Sequence, residues 1–353
     1  MNHLKLIALE NIKEIGEEVN VKLKDLNQTD ENYLLKIAEC RFSNGEGKVK
    51  IEETVRDKDI YILADVGNYG LTYQMHGFTH HMAPDEHFQD IKRTISALAG
   101  SAEKVSVIMP LLYQSRQHKR KGKESLDCAI ALQELERLGV GHIITFDCHD
   151  PNVCNAIPNL PFENFYASNT ILKNIEQKEQ LNSLLVVSPD LGATERARYY
   201  AEILGCDVGI FYKRRDLSKV VNGKNPIAEH IYMGPEIKEK DVLVVDDMIA
   251  SGGSMIEVGQ KLKEKGANKI YFITTFSLFT EGVKDFDNAY ENNYFDKIYT
   301  TNLTYIPEEI KQKEWLNVVD CSYDIAKIIN ALHNKESLKS VKEDYPKILN
   351  LKK

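Results

Sequence analysis

Three stretches of the chain repeat one unit: an amphipathic segment of helical period, a glycine, a short linker and a β-branched apolar run. They read LERLGVGHIITFD, AEILGCDVGIFYK and LKEKGANKIYFIT. A helix that stops at glycine and feeds a short buried strand is the repeating element of a parallel sheet with crossover helices. That alternation gives the class as α/β. The apolar runs predict strands at Asp59 to Ala64, Lys104 to Met109, His142 to Phe146, Leu184 to Val187, Val208 to Tyr212, Val242 to Val245 and Ile270 to Thr274. The spacing predicts helices over Ser125 to Leu138, Ala193 to Leu204 and Ser254 to Lys265.

A chain of 353 residues favours two domains. The Pro- and Asn-rich stretch Pro151 to Asn164 is the expected boundary, giving domains of about 1–165 and 166–320, with a helical C-terminal segment, 321–348, returning to the first. Hydrophobic residues at 42% and charged residues at 28% exclude a disordered chain. The formal net charge of −8 gives no global positive field for nucleic acid or an anionic membrane, so any anion must be bound locally. Six cysteines with no CxxC pair read as reduced core thiols of a cytoplasmic protein. The opening MNHLKLIALENIKEIGEE lacks an apolar signal core, and no window reaches the roughly 18 apolar residues of a membrane span.

The segment DVLVVDDMIASGGSM, Asp241 to Met255, carries the clearest chemistry. A buried strand leads to two carboxylates, Asp246 and Asp247, and then to a small-residue loop that opens a helix. Backbone N–H groups of Ser251, Gly252, Gly253 and Ser254 at a helix start form a phosphate cradle, and the strand-end carboxylates are placed to accept from vicinal sugar hydroxyls. The pattern describes a pocket for a phosphorylated sugar. No Lys follows the glycines, which excludes a P-loop, and GxGxxG spacing is absent.

This segment resembles the phosphoribosyl-pyrophosphate loop of the phosphoribosyltransferase fold. From about Cys40 to about Ser340 the chain resembles the ribose-phosphate pyrophosphokinase family, with RFSNGE, YQSRQHKRK, ITFDCHD, VVSPDLGATERAR and FYKRRD in the family's order. The resemblance implies two phosphoribosyltransferase-like domains, each with a mostly parallel central sheet. It also implies transfer of the diphosphoryl group of ATP to ribose 5-phosphate with Mg2+, in a dimer or hexamer. Lys213 and Arg215 then supply cations to the transferring group, with Asp216 to Ile227 as a lid. The resemblance further implies that Phe42, Asn44 and Glu46 hold adenine across a subunit interface and that Arg116 and Gln117 bind the nucleotide. His149 resembles the family histidine near the metal and the ATP phosphates, which implies a catalytic and metal-linked role, and Asp190 resembles the family's second metal-linked carboxylate. Taken alone, RFSNGE also reads as an Asn-Gly hairpin turn, and YQSRQHKRK as a solvated basic loop.

Three features depart from the family pattern. Ala250 stands where an acidic residue is usual, His118 replaces an Asp, and Asp65 to Asp90 is longer and poorly matched. That stretch holds His76, His80, His81 and His87, whose HxxxHH spacing suits a metal on one helical face, or merely an exposed loop. Ala250 and the altered Asp65 to Asp90 stretch keep open a non-catalytic synthetase-like regulatory subunit, and the Asp246 to Ser254 loop, which serves both kinds of enzyme, keeps open a phosphoribosyltransferase.

Overall fold

The runs expected to form strands do so, four of them close to the expected bounds, while those at Val208, Val242 and Ile270 run on into strands of eight or nine residues. The computed structural model describes residues 3–215 and 227–342, with the backbone alone at 213–215, 227–230, 340 and 342. They form two units. The first holds the described residues up to Ala167, together with Asn302–Pro307 and those from Asp320 onward; the second holds Ser168–Thr301 and Glu308–Val319.

In chain order the first unit contains β1 (Leu4–Ala8), α1 (Lys13–Asn27), β2 (Ile37–Arg41), β3 (Gly47–Ile51), β4 (Asp59–Leu63), β5 (Thr72–Met75), β6 (Phe78–His81), α2 (Pro84–Leu98), β7 (Lys104–Ile108), α3 (Asp127–Arg137), β8 (His142–Phe146) and β9 (Phe162–Phe165). Its central sheet has the order β1-β4-β7-β8-β9, parallel throughout. All five residues of β8 are buried, as expected of a parallel strand covered on both faces. β2 pairs with β3, and β5 with β6, as separate antiparallel hairpins.

The second unit contains α4 (Ser168–Lys178), β10 (Leu184–Ser188), α5 (Thr194–Leu204), β11 (Asp207–Arg215), β12 (Ile227–Met233), β13 (Asp241–Ile249), α6 (Gly253–Glu264), β14 (Ile270–Ser277), α7 (Lys284–Glu291), β15 (Lys297–Thr301), α8 (Glu308–Lys311) and β16 (Leu316–Val319). The order is β12-β11-β10-β13-β14-β15-β16, parallel except for β12 against β11. The central strand β14 is buried at all eight positions. The chain then returns to the first unit with α9 (Ser322–His333), which packs on α1, and a short helix at Lys339–Lys342.

Two expectations change. The second domain is not the contiguous stretch 166–320, because Asn302–Pro307 is tied to Asp65: Thr304 Oγ1 and the Tyr305 N–H both donate to its carboxylate. Nor are all the cysteines core thiols, since Cys40 on β2 is exposed while Cys128, Cys148 and Cys321 are buried. Among the described residues no helix is long and apolar enough to cross a membrane.

Candidate active site

In the second sheet β10 is the strand at which the order reverses: β11 lies on one side and β13 on the other. Open α/β sheets bind ligands outside the carboxyl ends of their strands at such a point. Asp190 follows β10, the backbone of Lys213 and Arg215 ends β11, and Asp246 and Asp247 lie in the last part of β13. The segment expected to form a lid, Asp216 to Ile227, lies outside the described residues up to 226.

The two carboxylates are not past the strand's end, as the sequence suggested. β13 runs on to Ile249 because Thr274, Phe276 and Ser277 of β14 continue its ladder, whereas pairing with β10 stops at Val244. Successive strand residues face opposite ways, and the two differ accordingly. Asp247 is buried at 2% exposure, while 24% of the Asp246 side chain remains open. The Asp246 carboxylate accepts the Asp247 N–H at 2.9 Å and lies 3.8 Å from an Arg196 guanidinium nitrogen. Burial, and then the neighbouring Asp247 charge, push its carboxyl well above the usual range, and Arg196 only partly offsets them.

Beyond β13 the loop is pinned from one side. The Ile249 carbonyl accepts from the Leu278 N–H at 2.8 Å and that of Ala250 from the Thr280 N–H at 3.0 Å. Gly252 caps α6 with φ of 85°, and a Cβ there would lie 2.0 Å from the Phe286 ring. No side chain caps α6 and no acid occupies its first turn. With no acid in that first turn, its leading N–H groups and positive dipole end lie beside exposed Ser251, Gly253 and Ser254. Asp190 behaves differently, since its Oδ1 accepts the N–H groups of Gly192 at 2.8 Å and Ala193 at 3.2 Å. Its Oδ2 has no hydrogen bond among the described residues.

In the first unit the ends of β7 and β8 carry the predicted groups. Arg116 and Gln117 sit exposed on the 3-10 turn Ser115–Gln117. Tyr113 steadies that turn by stacking on Phe88 at 4.3 Å and donating its hydroxyl to Asp85 at 2.7 Å. His149 is exposed beyond β8, its ring 5.3 Å from that of His118. His118 is itself held by the Ser115 carbonyl at 3.1 Å and the Asp150 carboxylate at 3.3 Å. Burial works against ionisation of Asp150, but the Asn152 N–H and amide, His118 and Lys119 hold its carboxyl below the usual range.

Phe42 to Glu46 form the tip of the β2–β3 hairpin, closed by the Phe42 N–H on the Glu46 carbonyl at 2.8 Å. Asn44 donates to the Glu46 carboxylate at 2.9 Å, and Phe42 is 48% exposed. The histidine stretch is not a helical face. It is the β5–β6 hairpin, with His76 and Gly77 at its turn, and it leads His87 into α2. His81 meets the Tyr69 carbonyl and His80 stacks on Tyr73, so the four histidines do not converge. Among the described residues no group of three or more His, Cys, Asp or Glu could hold a metal ion.

Sequence reasoning missed a buried polar network at the ends of β1 and β4. Asn11 Oδ1 accepts the Asp65 N–H at 3.0 Å, which turns its amide nitrogen toward His87 Nδ1, also at 3.0 Å. The His87 proton must then sit on Nε2, donated to the Asn68 carbonyl at 2.6 Å. Burial lowers the His87 pKa, in keeping with a neutral ring. Asp65 accepts from Gly67, Thr304 and Tyr305, yet full burial raises its carboxyl to about 7.

Fold and strand-end geometry together define an α/β protein whose larger sheet feeds a glycine-turned loop at the start of α6. Comparison with known proteins agrees. Residues 4–139 match the N-terminal domain of ribose phosphate pyrophosphokinase, and residues 163–309 match the phosphoribosyl transferase domain. A ribose-phosphate pyrophosphokinase of Ralstonia nicotianae is 30% identical over 246 residues, covering 69% of this chain and 70% of the relative. One of Mycoplasmopsis pulmonis is 28% identical over 337 residues, 94% of this chain and 93% of the relative. The crystal structure of phosphoribosylpyrophosphate synthetase from Mycobacterium smegmatis superimposes with a TM-score of 0.78 over 95% of this chain and all of that one, at 22% identity, and so shares the fold. The chain belongs to the ribose-phosphate pyrophosphokinase family.

Proposed function

We propose that this chain is an active ribose-phosphate diphosphokinase that makes phosphoribosyl pyrophosphate and AMP from ATP and ribose 5-phosphate. The observation that carries the reading is the Ser251 to Ser254 loop: a glycine-turned helix start with no acid in its first turn, following Asp246 on the same strand. Such a start suits the 5-phosphate, and Asp246, the open member of the pair, suits the ribose hydroxyls. Asp247, buried beneath, acts on Asp246 through its charge.

In the reaction the anomeric oxygen forms a bond to the β-phosphorus as the bridge to the α-phosphorus breaks, and AMP leaves while the hydroxyl proton is released. Charge neutralisation and alignment supply most of the acceleration of such a transfer. Lys213 and Arg215 are assigned that task, Arg116 and Gln117 the nucleotide, and Phe42, Asn44 and Glu46 the adenine, across a subunit interface in a homo-oligomer. Asp190, one of whose carboxylate oxygens is uncommitted, suits a Mg2+ ion held largely by nucleotide phosphates and water, since Mg2+ needs only one or two protein carboxylates, and His149 is separately assigned to the ATP phosphates and their metal. That ion, when bound, neutralises phosphate charge. Six unpaired cysteines suit a reducing cytoplasm.

The test is AMP release from ATP, with Mg2+ and ribose 5-phosphate, by purified protein. Release that requires ribose 5-phosphate is the expected result. No AMP overturns the assignment, and pyrophosphate release that depends on a nucleobase favours a phosphoribosyltransferase.

A further inference from the structure

The β5–β6 hairpin falls in the stretch that fits the family pattern least, and it is tied residue by residue to the Phe42 to Glu46 tip. Its pairing sets Tyr73 opposite His80 and Met75 opposite Phe78, so these four share one face, while Thr72, Gln74, Thr79 and His81 share the other. The second face is exposed throughout, whereas Tyr73, Met75 and His80 are partly buried. What the first face meets is the β2–β3 hairpin. The His76 N–H donates to the Ser43 carbonyl at 3.1 Å. Met75 Sδ approaches Gly45 so closely that a Cβ there would lie 2.7 Å from the sulfur. The Arg41 guanidinium sits 5.7 Å from the centre of the Tyr73 ring.

The other end of this brace is anchored. The Tyr73 hydroxyl donates to Glu86 Oε1 at 2.7 Å, while Glu86 Oε2 accepts the Ala83 N–H at 3.0 Å at the start of α2. Arg41 and Arg93 both bind Asp90 on α2, and their guanidinium groups lie against Gly47, the residue after the tip. The tip is thus gripped at Gly45 by Met75 and at Gly47 by the arginine pair.

We propose that the β5–β6 hairpin positions the Phe42 to Glu46 tip for adenine, with Tyr73 and Met75 as positioning residues that touch no substrate. This rests on the assignment of that tip to the nucleotide. Loosening the tip lowers the fraction of molecules ready to bind, and apparent affinity falls by the same fraction.

The experiment measures binding of α,β-methylene-ATP by calorimetry, alongside steady-state kinetics, for Tyr73→Phe, Met75→Ala, Met75→Leu and the outward-face control Thr79→Ala. The expected result is about five- to tenfold weaker analogue binding and higher KM for ATP in Tyr73→Phe and Met75→Ala. KM for ribose 5-phosphate and kcat should stay within about twofold, and Met75→Leu and Thr79→Ala should match wild type. Unchanged analogue binding in Tyr73→Phe and Met75→Ala overturns the inference, as does a parallel loss in every parameter. Failure of the activity assignment is separate: wild-type protein would then release no AMP, whatever the binding data show.

Discussion

Gly252→Ala tests the anion loop most directly, because the structure sets the size of its effect. Gly252 holds φ of 85°, a conformation that costs an L-residue about 1 to 2 kcal/mol. Its added methyl carbon would stand 2.0 Å from Phe286 Cζ, well inside contact distance. Phe286 cannot easily retreat, being fully buried, stacked on Trp315 at 5.7 Å and edge-on to Phe279 at 5.2 Å. Trp315 is fixed in turn by its Nε1 hydrogen bond to Asp287 at 2.8 Å. Overpacking of this kind costs roughly 1 to 3 kcal/mol, so the total is about 2 to 5 kcal/mol. For a unit of this size that corresponds to a fall of roughly 5 to 15 °C in Tm by scanning calorimetry. Part of the strain can be relieved by moving the start of α6, which misplaces the N–H groups assigned to the phosphate. KM for ribose 5-phosphate should therefore rise at least about tenfold at a temperature where the variant is folded, while KM for ATP changes little. A variant with wild-type Tm and wild-type KM for ribose 5-phosphate would refute both the close approach and the loop's role.

Asp246→Asn should raise KM for ribose 5-phosphate by roughly tenfold before it touches kcat, and steady-state kinetics with saturating ATP would show it. Asp247→Ala, by contrast, should lower Tm, because truncating a side chain only 2% exposed leaves a cavity within β13. Lys213→Ala should lower kcat by on the order of 10²-fold with little change in affinity for ribose 5-phosphate; a wild-type kcat would move the cationic task elsewhere. Asp65 provides a pH test. Its carboxyl is raised from 3.8 to about 7, so the folded state holds the proton more tightly than the unfolded chain does. Its contribution to stability is full below about pH 4 and is lost as pH rises through about 7. Replacing it by Asn, which does not titrate, should remove one proton's worth of that slope, about 1.4 kcal/mol per pH unit, from denaturant unfolding curves recorded between pH 4 and 7. Equal slopes in the two proteins would refute the raised carboxyl.

What could be read from the sequence is what depends on neighbours along the chain. The strand ending at Val245, the small-residue loop and the start of α6 are visible in DVLVVDDMIASGGSM because burial, turning and helix entry each follow from adjacent residue types. The same segment misleads where a distant partner decides. Two aspartates look like the end of a strand, yet β13 continues through them because Thr274 and Ser277 of β14 extend its ladder while remaining buried. The β5–β6 hairpin lacks the apolar alternation that marks a strand. Its order comes from Tyr73 on Glu86 and Met75 on Gly45, contacts that no local pattern encodes, so the HxxxHH spacing by itself reads as an exposed loop or a helical face. Asp65 shows the same limit at greater range, since its donors at Thr304 and Tyr305 lie some 240 residues away. The groups assigned to the reaction stand near strand ends, where spacing betrays them, while the side chains proposed to position them come from elsewhere in the fold. A sequence therefore names Phe42, Asn44 and Glu46 more readily than it names Tyr73, and substitution at the brace, rather than at the tip, is where structure adds most to what the residues alone predict.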